Sequence, residues 1–428
     1  MSKPLLLLAL LASSTLQSHA QATGLLVGKT FTGDTTYDKI WSLPVLYKDD
    51  SNPILQEFSL QGRLQVQYAD GDSNGHYDIE DYKNGGTANT QNAANAQSVW
   101  DDKFEARRAR LGFKSKWFQN WKFEGQIDAD TTEGPSNFYR DIYDLYVTYA
   151  PSDALNVTVG KTKVKFGREQ EISSKEILTF ERSLVSNLLF PGELTGVMVN
   201  GKGLADHWFY ELGAYSNDRS REFAQFNQGG AVILGKIGYD YAAQTCLDTA
   251  IASFQYMHNT DPGYKETNDA PFYASGSPNF TDSIALTNDI TLGRFGLTTD
   301  ILYGFGYSGN TDQANKNVAV NQSDVFGISL IPSYFIADGL QLVGQFQLAT
   351  SADPNGLSLY SRYEKYAPVV PPTAAGKDAG NTYASAYVGL NYYLYGHKLK
   401  LMNGLEYSHL GGGNYDGYTF LSGLRFSF

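Results

Sequence analysis

Residues 57–68 read Glu57-Phe58-Ser59-Leu60-Gln61-Gly62-Arg63-Leu64-Gln65-Val66-Gln67-Tyr68. Phe58, Leu60, Leu64, Val66 and Tyr68 share one phase of a two-residue period, and Glu57, Ser59, Gln61, Arg63, Gln65 and Gln67 share the other. Successive side chains of an extended chain point to opposite faces, so this segment is a strand with one oily and one wet face. The pattern recurs. Leu340, Leu342, Phe346 and Leu348 oppose Gln341, Gln345 and Gln347, and Phe295, Leu297, Ile301, Tyr303, Phe305 and Tyr307 oppose Thr298, Asp300 and glycines. Roughly sixteen such segments are expected, the weakest near Leu194 and Trp208, within the range of outer-membrane barrels.

A soluble sandwich also alternates, but three features favour a transmembrane antiparallel β-barrel (all-β). The aliphatic share is low for a buried sandwich core, whereas a barrel in lipid turns its apolar face outward and keeps a polar interior. Aromatic residues gather at strand ends, at Tyr143 and Tyr149, Tyr239 and Tyr241, Tyr392 and Tyr393, as an interfacial girdle requires. Tyr418, Phe420, Leu424, Phe426 and Phe428 make an amphipathic closing strand. Gln119-Asn120, Pro151-Ser152-Asp153, Asp338-Gly339 and Gly396-His397 read as short periplasmic turns, and residues 69–102, 260–280, 308–322 and 349–381 as long outer loops.

Composition agrees with one large β domain: 428 residues hold 43 Gly, 30 Tyr and 24 Phe but one Cys and 4 Met. Cys246 has no partner for an intramolecular disulfide. Residues 1–20 carry the parts of an export signal: Lys3, an apolar run from Leu5 to Ala12, and Ser18 and Ala20 before a cleavage site. Residues 21–55 lack a period and form a periplasmic lead-in, leaving residues 56–428 for the barrel. No later stretch approaches the roughly 18 apolar residues of a membrane helix. A net charge of −12 argues against nucleic acid as a partner. The acids Asp70, Asp72, Asp78, Glu80 and Asp81 fall in an expected loop and suit a solvated surface, with a divalent-cation site as the alternative.

Enzyme and cofactor motifs fail on context. Gly304-Phe305-Gly306-Tyr307-Ser308-Gly309 spells a dinucleotide fingerprint but ends a strand with no helix after it, so glycine packing explains it. His76, His207, His258, His397 and His409 lack metal-ligand spacing. No Ser, His and acid set has a recognisable setting. No metal, cofactor or catalytic residue is expected.

Arg107-Arg108-Ala109-Arg110-Leu111-Gly112, residues 121–129, residues 159–201 with Glu181-Arg182-Ser183-Leu184 and Phe190-Pro191-Gly192, and Val388-Gly389-Leu390-Asn391-Tyr392-Tyr393 occur in an order that resembles the phosphate-selective porin O and P family. The resemblance covers most of the chain beyond the signal and implies a trimeric, sixteen-stranded, anion-conducting channel in outer-membrane lipid. Its permeants would be small anions such as phosphate or polyphosphate.

Parity then suggests the lumen chemistry. Ala109, Leu111, Phe113 and Trp117 mark the oily face, so Arg108, Arg110, Lys114 and Lys116 point inward, joined by Arg63 and by Lys122 on the adjoining strands. Such a column enriches anions in a low-dielectric channel. The alternative is ordinary lumen charge, paired with Glu57, Glu124, Asp128 and Asp144. Further on, Leu155, Val157 and Val159 lead to Lys161, Lys163 and Lys165 in the same phase. A lysine facing lipid costs roughly 2–4 kcal/mol at midplane, so the strand is expected to bulge or leave the wall near Gly160. Residues 166–190 lose alternation where porins fold a loop inward, giving an expected constriction lined by Lys163, Arg168, Lys175 and Arg182. The alternative role for Arg182 is bracing the loop against Glu181 or Glu171. A general or weakly cation-preferring diffusion pore is the competing function, motivated by the net charge of −12.

Overall fold

The computed structural model describes residues 35–73, 103–129, 139–203, 205–218, 222–224, 230–262, 280–307, 323–354, 356–358, 379–412 and 415–428. The expected signal peptide and most of the four expected outer loops lie outside these residues. In chain order the elements are α1 (Thr36–Ser42), β1 (Val45–Lys48), β2 (Leu55–Ser73), β3 (Lys103–Trp117), β4 (Trp121–Ala129), β5 (Tyr139–Ser152), β6 (Leu155–Lys163), α2 (Arg168–Glu171), α3 (Leu184–Leu188), β7 (Glu193–Lys202), β8 (Trp208–Ser216), β9 (Ala231–Asp240) and β10 (Thr249–Asn259). They continue with β11 (Phe280–Leu292), β12 (Phe295–Tyr307), β13 (Val325–Ala337), β14 (Leu340–Ser351), β15 (Leu357–Ser358), β16 (Ala379–Gly380), β17 (Thr382–Tyr395), β18 (Leu399–Gly411) and β19 (Tyr415–Ser427).

Strands β2 to β14 and β17 to β19 pair antiparallel with their neighbours, and β19 returns to β2 in a register running from Ser427↔Arg63 to Gly417↔Ser73. The sheet counts seventeen strands, but β1 borders only the start of β2, so sixteen close the barrel. Closure removes the sheet edge that an open sheet would leave unpaired. The segments around Leu194 and Trp208 are full members, β7 and β8. Strand β2 runs on to Ser73, beyond the expected start of the first outer loop.

The two faces follow the alternation. Leu60, Leu64, Leu111, Phe123, Val159, Leu286, Phe346, Val388 and Leu405 are exposed on the outside, while Gln61, Gln65, Gln67, Gln255, Ser329, Gln345 and Ser385 are buried inside. Trp121 lies near Tyr149 and Trp208 near Tyr239, each at 4.9 Å between ring centroids, where β4 and β8 begin after the β3–β4 and β7–β8 connections. Two expected girdle residues sit elsewhere. Tyr143 lies over the Arg110 guanidinium, and Tyr393 donates inward to Gln341 Oε1 at 2.5 Å. A register shift puts Gln126 opposite Asp144 but Ile127 opposite Ile142, so Tyr143 is the extra residue of a bulge that turns it into the lumen.

The polar interior is interrupted by two apolar clusters that the sequence did not lead one to expect. Val164, Phe166, Leu184, Val185, Leu188 and Leu189 pack with inward-facing Leu234, Met257, Leu302, Val325, Tyr383 and Leu410 in one buried apolar cluster. A second joins Phe180 to Ile331, Val343, Tyr387, Met402 and Leu421. The segment between β6 and β7 brings its own apolar side chains inside, and the wall answers with apolar residues in the inward phase. Each fully buried Leu or Phe contributes about 1.5–3 kcal/mol. The wall also makes room: a Cβ at Gly304 would lie 2.4 Å from Leu189, and one at Gly327 would lie 2.5 Å from Val185.

At Gly160 the strand neither bulges nor leaves the sheet. Its register stays unbroken from Val157 to Lys161 against β5 and to Lys163 against β7. Gly160 instead adopts φ +138°, with no room for a Cβ against Leu145 O at 2.3 Å, and the chain turns inward after Lys163. That conformation favours glycine.

Candidate functional site: a basic wall and an anchored inner segment

Residues 167–188 are pinned to the inner wall through backbone and side-chain hydrogen bonds. Gly167 N donates to Gln255 Oε1 at 2.9 Å, and the N–H groups of Arg168 and Glu169 donate to the two Asp300 oxygens, each at 2.8 Å. Asp300 on β12 thereby caps α2 from across the barrel. The Arg168 guanidinium reaches Asp289 at 2.5 Å and Glu171 at 3.1 Å, and Lys236 bridges Glu171 and Glu211 at 2.9 and 3.1 Å. Further along, Leu184 N donates to Gln347 Oε1 at 2.7 Å, Asn391 Nδ2 to Leu178 O at 2.8 Å and Lys400 Nζ to Ile177 O at 2.5 Å. The wall groups come from β8 to β18.

The opposite wall, β2 to β6 with β19, carries the basic side chains. Arg63 faces Arg110 directly across the β2–β3 ladder, and Lys116 faces Lys122 across β3–β4. Like charges directly opposite destabilise a sheet, so neither pair serves stability. Tyr143 moderates the first pair, with its ring centroid 3.3 Å from Arg110 Cζ and 5.9 Å from Arg63 Cζ. Arg63 donates to Ser174 and to Gln126 at 3.2 Å, and Arg110 to Asp128 at 3.1 Å. Arg63 Nε and Arg110 Nε and Nη1 remain buried with no hydrogen-bond acceptor among the described residues. A buried donor without a partner costs about 1–3 kcal/mol, more when charged, so this pair is poised to accept an anion or water.

The remaining expected residues divide by environment. Arg108 is buried, donating to Gln65 at 2.9 Å and lying 3.8 Å from Glu181. Lys114, half exposed, lies 3.8 Å from Glu57, and Lys116 is half-buried. Lys163 donates to Gln170 O at 2.7 Å over the Phe190 ring. Lys175 donates to Phe428 O at 3.2 Å. Arg182 braces the segment through carbonyls, donating to Glu169 O at 2.6 Å and Ile172 O at 2.8 Å, rather than through Glu181 or Glu171. Arg168 is engaged with Asp289 of β11 and with Glu171. Lys161 is buried on the face it shares with Leu145.

Arg107, Arg425 and Lys400 are among the basic residues that escaped the sequence reading, as did Lys236 and Arg140. Arg107 forms a bidentate pair with Glu181 at 2.6 and 3.0 Å. The β2–β3 register passes from Gln65↔Arg108 to Val66↔Ala106, so Arg107 is the extra residue of a bulge, and two consecutive arginines reach the inner segment. Nothing in the local alternation marks that bulge. Arg425 is buried, donating to Gln65 at 2.7 Å and Gln67 at 2.8 Å, and Lys400 is buried beneath Ile177. Both were legible, because Arg425 alternates with Leu424 and Phe426, and Lys400 with Leu399 and Leu401.

A closed sixteen-stranded barrel, oily outside and charged inside, is the architecture of an outer-membrane channel. The chain belongs to the family of phosphate-selective porins O and P, whose model matches residues 72–411. It is a porin of the Gram-negative outer membrane and a channel, not an enzyme. Among solved structures it is similar to a loop L8 deletion mutant of OmpT from Vibrio cholerae, with TM-score 0.53, 11% identity, and 87% of this chain and 99% of that chain covered. It is also similar to OprB of Pseudomonas putida, with TM-score 0.53, 13% identity and 87% and 94% covered. OmpT expressed in the outer membrane of Vibrio cholerae gives TM-score 0.51, 11% identity and 90% and 100% covered. At these identities the likeness is one of fold. No curated protein matches the chain.

Proposed function

We propose that this porin passes small hydrophilic solutes with a preference for anions of the phosphate class, as a homotrimer. The observation that carries the reading is the facing pair Arg63 and Arg110, with buried donors that lack an acceptor. Arg107, Arg108, Lys114 and Lys116 extend basic character along the same strand, and the family description supports phosphate-like permeants. Residues 166–190 act as the constriction, holding solutes against the basic wall. Most of that wall is partly ion-paired, to Glu181, Asp128 and Glu57, which favours moderate rather than absolute selectivity. The trimer rests on the family resemblance alone.

The test is a reversal potential under a salt gradient, for the wild type and for Arg108→Glu, Arg110→Glu, Lys114→Glu combined. The charge change is −2 at each of the three sites, large against a Debye length of about 8 Å. Selectivity should move toward cations, and because the introduced carboxylates at positions 108 and 110 face Glu181 and Asp128, heat-modifiable gel mobility first confirms that the mutant barrel is folded. An inserted triple mutant that keeps its anion preference would count against this filter. A wild type already favouring cations would support the general diffusion pore that the net charge of −12 suggests.

A further inference from the structure

The residues before β2 were expected to be a periplasmic lead-in, yet α1 packs on the outside of the wall. Trp41 lies with its ring centroid 4.8 Å from Tyr395 and 5.6 Å from Phe426, and its indole N–H donates to Ser427 O at 2.7 Å. Tyr37 stacks on Tyr395 at 5.4 Å, and Tyr395 donates to Asp38. Phe426 pairs with Leu399, and after a register shift Tyr395 also pairs with Leu399, so these side chains share the lipid-facing phase at the short-turn end. Strand β1 then pairs with Ser59, Phe58 and Glu57, covering the edge of β2 that overhangs the end of β19.

One face of this arm is thus buried on the wall, and the other is apolar and uncovered. Ile40 is 47% exposed, Leu43 73%, Leu46 58% and Ile54 55%. Phe118, itself exposed, donates its N–H to Ile54 O at 2.8 Å and carries the apolar surface to Trp121 and the β3–β4 turn. On the other side the surface joins Leu60 and Leu64 of the lipid-facing belt. Lys39 and Lys48 are exposed beside it. An apolar face flanked by Lys39 and by the exposed run Lys48-Asp49-Asp50, at the level of the aromatic girdle, fits the boundary between acyl chains and zwitterionic or polar headgroups.

We propose that residues 36–54 are an interfacial anchor seated in the periplasmic-leaflet phospholipid, with Ile40, Leu43, Leu46 and Ile54 at the acyl boundary and Lys39 and Lys48 at phosphate headgroups. The arm seals the foot of the β2–β19 seam with lipid contact rather than projecting into the periplasm. Continuity with the lipid-facing belt selects phospholipid over a second copy of the chain.

The experiment uses the full chain carrying Cys246→Ser and one new cysteine, labelled with an environment-sensitive dye and refolded into phosphatidylethanolamine–phosphatidylglycerol vesicles. Leu43→Cys and Ile40→Cys report the arm, Leu64→Cys the mid-wall and Asp338→Cys a periplasmic turn. Heat-modifiable gel mobility confirms that each variant is folded. Dye at Leu43 and Ile40 should lose more than half its emission to lipids spin-labelled high on the acyl chain and little to iodide, whereas dye at Asp338 should respond to iodide alone. Iodide quenching at both arm positions without lipid quenching overturns the proposal by placing the arm in water. Shielding from both quenchers overturns it equally, in favour of cover by a neighbouring copy.

Discussion

Lys175 shows how one residue couples the inner segment to the basic wall. Burial, and then the charge of Arg63, pull its pKa down from the usual lysine value to about 8. Lys175 is therefore charged at neutral pH and loses its proton as pH rises through about 8. If solutes pass it, anion preference should weaken over that interval, and Lys175→Met should remove the pH step while lowering the preference below it. Reversal potentials at several pH values decide the matter, and an identical pH response in the variant would put Lys175 off the path. The inward side chains of Arg63, Arg108, Arg110 and Lys114 were legible, because each sits in fixed phase with oily neighbours on its own strand. Arg107 and Tyr143 were not, since a bulge is set by how two strands register against each other.

At the scale of elements, the constriction segment is bound through two kinds of contact. Its first turn is held by polar contacts on β9 to β12, with Asp300 capping α2. Its second half is held by apolar packing around α3. Asp300→Ala removes two hydrogen bonds of about 0.5–1.5 kcal/mol each. It should free the first turn while α3 stays docked, giving larger and noisier single-channel current at unchanged β-sheet circular dichroism. Deleting most of residues 169–187 should act more broadly. Conductance should rise and selectivity fall, and the barrel should also melt at lower temperature because Leu302 and Val325 lose apolar partners. A deletion with wild-type current would place the segment outside the conduction path. The irregular run from 166 to 190 was visible as lost alternation, but its apolar partners in the wall were not, because Leu302 or Met257 in an inward phase reads as noise until the segment that meets it is in place.

For the molecule as a whole, closure of β19 on β2 leaves the foot of β2 without a partner strand on the β19 side, and the arm fills that gap. Trp41 is only 6% exposed and ties the arm to the last strand. Trp41→Ala should lower the temperature at which the barrel loses its heat-modifiable gel mobility, by the loss of up to about 3–5 kcal/mol of packing. Leu43→Ala, on the uncovered face, should leave that temperature nearly unchanged in detergent. Equal effects of the two substitutions would show that the packing against Tyr395 and Phe426 does not hold the seam.

The amino-acid sequence by itself determined the wall: its strands, which face of each meets lipid, and a column of cations in the other phase. These are local properties, since a period of two is read within one strand and lipid demands an unbroken apolar exterior. Tertiary structure decided what fills the barrel and what surrounds it. The bulges at Arg107 and Tyr143, the apolar packing of α3 inside, the capping of α2 by Asp300, and the placement of α1 on the outer face all join residues far apart in the chain. The physical reason is register: pairing between distant strands chooses which side chains meet, and alternation within one strand carries no record of that choice.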